Sequence, residues 1–185
     1  MDWKPFWKTV EESYRPDPID HFEALKGRLS ELTWNEVIEF QARFDEAIAS
    51  ANLIDLWGAA YLINGGCSDD GFIDFRSWLV LRGRDVFRAA VTDPDTLAAL
   101  RVESDEAECE CYPAMRAWFT ATKTEENDAG YAAYNAAEQT RHPGREPVPE
   151  LGDGWDFEDD AEMRKRYPRL SALYTDREGG EDDDE

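Results

Sequence analysis

The stretch from Gly65 to Gly83 reads GGCSDDGFIDFRSWLVLRG and is the part of the chain that decides the fold. It joins a turn rich in glycine and carboxylates to an apolar segment that still carries Asp74 and Arg76. The apolar residues behind the turn recur at helical spacing; they are Phe72, Phe75, Leu79, Val86 and Ala90. We therefore predict a helix from about Gly71 to Ala90. Further apolar positions widen its stripe towards burial on all sides, which is typical of a helix at the centre of a bundle.

Helix start signals recur along the chain. Asp17 and Asp93 each precede a proline, which is the pattern of a capping residue followed by the first helical position. Thr33 and Glu36 stand at the two ends of a capping box and predict the start of another helix. These signals predict that most of the chain is helical.

The helix before the glycine turn is predicted from Leu53 to Ile63. It contains Gly58, which costs roughly 1 kcal/mol relative to alanine and lets another helix approach closely. Asn64 and the two glycines after it predict a left-handed cap at its end. No segment of the chain alternates convincingly as a β-strand does. We therefore predict an all-α, single-domain, irregular helical bundle of about seven or eight helices.

The composition divides the chain into three predicted regions. Residues 1–140 form the helical bundle, 141–176 form an extended C-terminal arm that docks on it, and 177–185 form a disordered acidic tail. The arm begins with a strap, His142 to Gly154, which holds three prolines and three glycines and no apolar period. Its predicted anchors are Trp155, Phe157, Tyr167, Leu170 and Leu173.

The net charge of the chain limits the kinds of partner that it can bind. The 185 residues include 20 basic and 42 acidic side chains, for a net charge of −22. Nucleic-acid binding rests on Lys and Arg, so we predict no direct binding of nucleic acid. An anionic membrane would repel the chain for the same reason. A basic protein surface, a cation or a neutral ligand is allowed, and the alternative is that the charge serves solubility alone.

Cysteine usage favours a reducing cytoplasm, because Cys67, Cys109 and Cys111 have no framework spacing. The N-terminus has no apolar run behind a basic start, so no signal peptide is predicted. No apolar run approaches the roughly 18 residues that a membrane span needs. We predict a cytoplasmic protein, and the sequence indicates no particular oligomeric state.

Several stretches make up one long combined motif. They are residues 55–60 (DLWGAA), 65–70 (GGCSDD) and 72–79 (FIDFRSWL), with Phe6-Trp7, Gly83-Arg84 and Asp93-Pro94-Asp95. Together they resemble the domain-of-unknown-function family 4240 over about residues 1–120. Trp155 and the run from Tyr167 to Leu170 look like the tail of that family more loosely. The resemblance implies a mostly helical, cytoplasmic bacterial protein, and it supplies no activity and no catalytic residue.

Three carboxylates behind the glycine turn are candidate ligands for a hard cation: Asp69, Asp70 and Asp74. Oxygen ligands suit magnesium or calcium, but the spacing matches no EF-hand loop. The alternative is structural, since Ser68, Asp69 or Asp70 would cap the predicted helix and offset the positive end of its dipole. We predict no bound metal here.

Charged side chains on and after the apolar helix form a second candidate site. Asp74, Arg76, Arg82 and Arg84 would line a pocket, since the arginine fork suits a carboxylate or phosphate. The alternative is a partly buried ion-pair network that fixes helix register. In that case Arg76 pairs with an aspartate at position 69, 70 or 74, and Arg76→Leu destabilises the protein by a few kcal/mol, because it leaves a charge unpaired.

The cysteines offer little chemistry. Cys67 stands beside a predicted helix N-terminus, a position that activates a thiol, but neither His21 nor His142 is near it in sequence. Nucleophilic catalysis of the Cys–His kind is therefore not predicted. Cys109 and Cys111 are too few for structural zinc, which normally takes four ligands. No cofactor is predicted.

These patterns favour a non-enzymatic, acidic protein-interaction module. Its partner would be a basic protein surface, and mimicry of nucleic acid is one form of this role, because rows of carboxylates imitate phosphates. The alternative is an enzyme or small-ligand binder that uses Asp69, Asp70, Asp74 and Arg76 around a pocket beside Trp57. Convergence of these side chains on an open cleft would favour the enzyme, and a role in capping and pairing would favour the module.

Overall fold

A computed structural model of the chain describes residues 1–103, 107, 113–141, 150, 151 and 153–175. These residues form ten α-helices and one 3-10 helix, with no strand among them, which confirms the all-α prediction. The α-helices are α1 (Trp3–Ser13), α2 (Pro18–Ser30), α3 (Trp34–Ser50), α4 (Ile54–Asn64), α5 (Asp69–Leu81), α6 (Arg84–Thr92), α7 (Pro113–Thr122), α8 (Asp128–Arg141), α9 (Asp160–Arg166) and α10 (Pro168–Tyr174). The 3-10 helix, Pro94–Leu100, lies between α6 and α7 in the sequence.

The predicted number of seven or eight helices is wrong. The single helix predicted from Gly71 to Ala90 is two helices, α5 and α6, because Gly83 adopts a φ of +91°, which no α-helix contains. Two more helices, α9 and α10, lie in the region that was predicted as an extended arm. They are separate because Tyr167 precedes a proline and takes φ −128° and ψ 64°, outside the helical region.

Four of the predicted helix ends are present. The Asp17 carboxylate accepts a hydrogen bond from the Asp20 amide at 3.0 Å, and Asp93 accepts one from the Asp95 amide at 3.2 Å. Thr33 and Glu36 form the reciprocal capping box, since the Thr33 amide donates to the Glu36 carboxylate at 2.9 Å. Gly65 ends α4 with a φ of 66°. Local sequence signals therefore set where these helices begin and end.

The described residues fall into two compact units. The first comprises Met1–Ala49, Leu81–Gly83 and the described part of Glu110–Val148. The second comprises Ser50–Val80 and the described parts of Arg84–Cys109 and Pro149–Glu185. The single-domain organisation and the three predicted regions stay predictions.

The first unit contains α1, α2, α3, α7 and α8. α2 packs against both α1 and α7, and α7 contacts α8. In its core the Phe6 and Phe40 rings lie 5.0 Å apart, and the Trp118 and Tyr134 rings lie 5.5 Å apart, edge to face. The apolar faces of its helices are thus buried against each other, as the helical spacing predicted.

The second unit contains α4, most of α5, α6, the 3-10 helix, α9 and α10. α10 packs against α4, α9 and the 3-10 helix, and α6 also packs against the 3-10 helix. Gly58 lies on α4 where a Cβ atom would stand 2.6 Å from a Trp155 ring carbon and 2.6 Å from the Tyr167 hydroxyl oxygen. The close approach expected at Gly58 is therefore made by aromatic side chains of the C-terminal segment.

Polar contacts also hold the C-terminal segment in the second unit. The Tyr167 hydroxyl donates to the backbone oxygen of Asp55 at 2.6 Å, and the Tyr174 hydroxyl donates to that of Val102 at 2.7 Å. The buried Asp95 carboxylate accepts the Leu170 amide at 2.8 Å. These contacts join positions that are more than 70 residues apart in the sequence.

Several predicted features lie outside the described residues. They are Cys109, Cys111, His142, most of the strap predicted from 142 to 154, and the tail predicted from 177 to 185. Within the described part of the chain, no helix is long and apolar enough to cross a membrane.

Candidate functional site

The turn before α5 is closed by Ser68. Its hydroxyl oxygen accepts a hydrogen bond from the Gly71 amide at 3.1 Å, and its backbone oxygen accepts one from the Phe72 amide at 2.8 Å. Asp69 and Asp70 occupy the first turn of α5 and are exposed. Of the three candidate caps it is Ser68 that makes the cap hydrogen bond, and the two carboxylates stand where the helix dipole favours negative charge.

Trp57 ties this turn to α4. Its indole nitrogen donates to the backbone oxygen of Cys67 at 3.0 Å. Its ring stacks on Phe72, with the ring centres 5.1 Å apart and the planes 5° from parallel. An indole that is fixed by both its ring face and its N–H places the start of α5 firmly against α4.

Arg76 is buried on α5, with 6% of its surface exposed. Its Nε donates to the backbone oxygen of Phe72 at 3.2 Å, and its guanidinium lies 4.6 Å from the centre of the Phe72 ring. Burial lowers the pKa of Arg76, and the nearby Cys67 opposes this effect. Arg76 is therefore buried against an aromatic face, whereas Asp69 and Asp70 face solvent. Its pairing with an aspartate stays a prediction.

A second group of aromatic residues reaches Trp57 from the C-terminal segment. The Phe157 ring lies 6.0 Å from that of Trp57, 5.6 Å from that of Tyr61 and 4.8 Å from that of Trp155. All four residues are half-buried. We call these four residues, Trp57, Tyr61, Trp155 and Phe157, the aromatic cluster. The sequence predicts Trp155 and Phe157 only as anchors, because nothing in their local pattern indicates which helix they contact.

One arginine already lies on the aromatic cluster. The Arg166 guanidinium stands 4.7 Å from the centre of the Trp155 ring. The same group forms ion pairs of 2.8 Å with Asp55 and 2.8 Å with Glu162. The cluster thus holds a guanidinium between a ring face and two carboxylates, which is the arrangement that suits arginine.

The structure does not place all of the predicted site residues in one unit. Arg82 belongs to the first unit, where its guanidinium lies 5.5 Å from the centre of the Tyr14 ring. Burial lowers the pKa of Arg82, and the interaction with Tyr14 partly offsets this effect. In the same unit the pKa of His21 is lowered to about 4, mainly by burial and further by the positive charges of Arg82 and Arg15. Arg84 is exposed at the start of α6. Asp74 is half-buried on α5.

Asp69, Asp70 and Asp74 are the three candidate ligands for a cation behind the turn. Among the residues that the structure describes, no group of three or more His, Cys, Asp or Glu side chains is arranged to hold a metal ion. Asp69 and Asp70 are exposed on the first turn of a helix that Ser68 caps. Both carboxylates therefore lie where they offset the positive end of the α5 dipole.

Comparison with known proteins gives one match. A family model described as "Protein of unknown function (DUF4240)" matches residues 1–122. No curated protein and no solved structure matches the chain. The matched residues end with the last residue of α7, so α9 and α10, which pack in the second unit, lie beyond the match.

Proposed function

The chain belongs to the domain-of-unknown-function family 4240, and we propose that it serves as a non-enzymatic interaction module whose partner presents a basic protein surface. The observation that carries this proposal is the exposed face of α5. We define the α5 face by Asp69, Asp70 and Ile73, all of which are exposed.

The α5 face combines an apolar centre with negative charge. Ile73 is 46% exposed, although it follows Phe72 on a helix whose other apolar residues are buried. Asp69 and Asp70 precede it by four and three residues, so the three side chains are neighbours on one side of the helix. An apolar residue beside charged residues is the composition of a small interface with a polar rim. Carboxylates there would steer a basic partner and exclude an acidic one.

The geometry around the α5 face gives less support to the alternative, an enzyme or small-ligand binder. Ser68 caps the helix, Trp57 fixes the turn, and Arg76 is buried on Phe72. These polar groups hold the framework together, as capping and buried charges commonly do. The carboxylates are left exposed on the first turn, where they are available to a macromolecular partner.

The proposal is tested by finding what contacts Ile73. A photo-crosslinking residue is placed at position 73 in the full chain, with position 31 as the control because Glu31 is exposed in the first unit. We expect one crosslinked protein with a basic surface from position 73 and not from position 31. The purified partner is then titrated against the protein at about 50 and about 300 mM NaCl, where screening should weaken binding by roughly tenfold.

A matched pair of double variants tests the role of the carboxylates. Asp69→Asn with Asp70→Asn removes two charges from the α5 face, and Glu31→Gln with Asp85→Asn removes two charges elsewhere. Asp85, like Asp69, lies in the first turn of its helix. We expect only the first pair to weaken binding, by roughly threefold or more. An acidic or neutral partner, or equal binding by both pairs, would contradict the proposal. Competition with duplex DNA decides whether the module acts as a nucleic-acid mimic.

A further inference from the structure

The aromatic cluster offers a second place for a guanidinium. One end of the cluster is filled, because Arg166 lies on Trp155 and pairs with Asp55 and Glu162. The same unit repeats this chemistry at Phe72, where Arg76 lies 4.6 Å from the ring centre. The second unit therefore binds guanidinium groups on aromatic faces in two places, and in both the arginine comes from the chain itself.

The other end of the cluster has the same components. Phe157 and Trp57 are half-buried and in contact, with ring centres 6.0 Å apart. Asp156 and Glu158 flank Phe157 in the sequence and are exposed. Their turn is fixed, because the Glu158 amide donates to the Asp156 carboxylate at 2.9 Å. An exposed carboxylate therefore stands on each side of Phe157 in the sequence.

The first turn of α5, which carries Asp69 and Asp70, begins close to Trp57. The backbone oxygen of Cys67 is bonded to the Trp57 indole at 3.0 Å, and Asp69 follows only two residues later. Successive Cα atoms are about 3.8 Å apart, so the first turn of α5 lies close to Trp57. Two separate segments that adjoin the aromatic pair therefore carry exposed carboxylates: the first turn of α5, which begins two residues after the Trp57-bonded Cys67, and the turn that contains Phe157.

We propose that the Trp57–Phe157 end of the cluster binds an arginine side chain of the basic partner. This inference rests on the proposed function and names the partner group that the site recognises. The guanidinium would lie against the aromatic pair, as Arg166 does on Trp155, and its N–H groups would donate to the carboxylates of Asp156, Glu158 or the first turn of α5. Arginine fits better than lysine, because a planar guanidinium stacks on rings and forks onto carboxylates.

Binding is measured with a fluorescein-labelled peptide of sequence Gly-Arg-Gly-Arg-Gly and with its lysine counterpart, by fluorescence anisotropy on the full chain. We expect the arginine peptide to bind about threefold or more tightly than the lysine peptide. Phe157→Leu and Asp156→Asn with Glu158→Gln should each weaken the arginine peptide by about threefold. Trp34→Leu, at an exposed tryptophan of the first unit, and Glu31→Gln should leave its affinity unchanged.

Indole resonances in a ¹H–¹⁵N spectrum give a second readout that does not depend on the stability of any variant. The arginine peptide should shift the Trp57 and Trp155 indole signals of the wild-type protein and leave that of Trp34 in place. Equal binding by wild-type and Phe157→Leu protein, or shifts spread over all tryptophans, would refute the arginine site. The proposed module would survive that result if position 73 still crosslinked a basic protein. Conversely, an arginine site without such a partner would refute the module alone.

Discussion

Asp95→Ala gives the most direct test of how the second unit is held together. Asp95 is 3% exposed. Its carboxylate accepts the Leu170 amide at 2.8 Å and the Arg169 amide at 3.0 Å, so it caps α10 from a position 74 residues earlier in the chain. It also accepts the Arg169 Nε at 2.8 Å. Alanine would remove all of these acceptors at once.

The magnitude follows from the groups that are left without an acceptor. Each buried backbone N–H that loses its partner costs about 1–3 kcal/mol. Arg169 is 56% exposed, so water replaces its lost partner and its ion pair adds little. The Leu170 amide bond is buried and takes the full cost, whereas the Arg169 amide bond is part-buried and takes less, so the free energy of unfolding should fall by about 2–5 kcal/mol. An isolated helix of seven residues has no stability of its own, so α10 depends on this contact.

Urea unfolding followed by circular dichroism measures this loss, and Arg169→Ala is the matched control. The control removes the exposed guanidinium but leaves both amide hydrogen bonds, so we expect a loss of about 1 kcal/mol or less. Hydrogen exchange should report faster exchange of the α10 amides in Asp95→Ala alone. The reasoning is wrong if the free energy of unfolding of Asp95→Ala lies within about 1 kcal/mol of the wild-type value, or if Arg169→Ala is equally destabilising.

Three further predictions concern stability. Gly58→Ala should lower the free energy of urea unfolding by about 1–2 kcal/mol, because overpacking against the aromatic rings outweighs the helix propensity gained. The control, Gly27→Ala, has open space around it and should be neutral or stabilising. Equal effects of the two variants would exclude the close contact at Gly58. The pKa of His21 is about 4 in the folded protein and 6.5 in the unfolded chain, so the unfolded chain takes up the proton first as the pH drops. The free energy of unfolding should therefore fall between pH 6.5 and pH 4, by about 2 kcal/mol at pH 5. His21→Phe should flatten this pH dependence when urea unfolding is measured between pH 7 and pH 5. Arg76→Leu should lower the melting temperature if the buried guanidinium is paired with a carboxylate, and an unchanged melting temperature would argue against that pairing.

Local signals were sufficient to predict much of the helical framework. Asp17, Asp93 and the capping box at Thr33 act within three residues of their own helix start, so their hydrogen bonds follow from the sequence alone. The break at Gly83 was missed, because a glycine within an apolar period costs a helix only about 1 kcal/mol and does not reveal its own φ. Glycine adopts a φ of +91° as readily as a negative value, so the residue type alone does not predict which one occurs.

The contacts of the candidate site are mostly long-range and were therefore beyond local reasoning. The sequence predicts a helix that starts behind the glycine turn, as α5 does at Asp69, but it does not indicate that Phe157 lies on Trp57. Nor did it indicate that Asp95 caps α10, since the motif around it predicts only a local helix start. Side chains that act 70 or more residues away leave no periodic signature near their own position.

The end of the family match at residue 122 does not coincide with a boundary in folding. Residues 153–175 pack against Gly58 and donate hydrogen bonds to the carboxylate of Asp95. A chain shortened to the matched region would lack the Arg169 and Leu170 donors to Asp95 and would leave an apolar strip of α4 uncovered. An exposed apolar strip of this kind favours aggregation. Expression of this protein, and of any fragment intended for partner screening, should therefore include the segment that follows the family-defined domain.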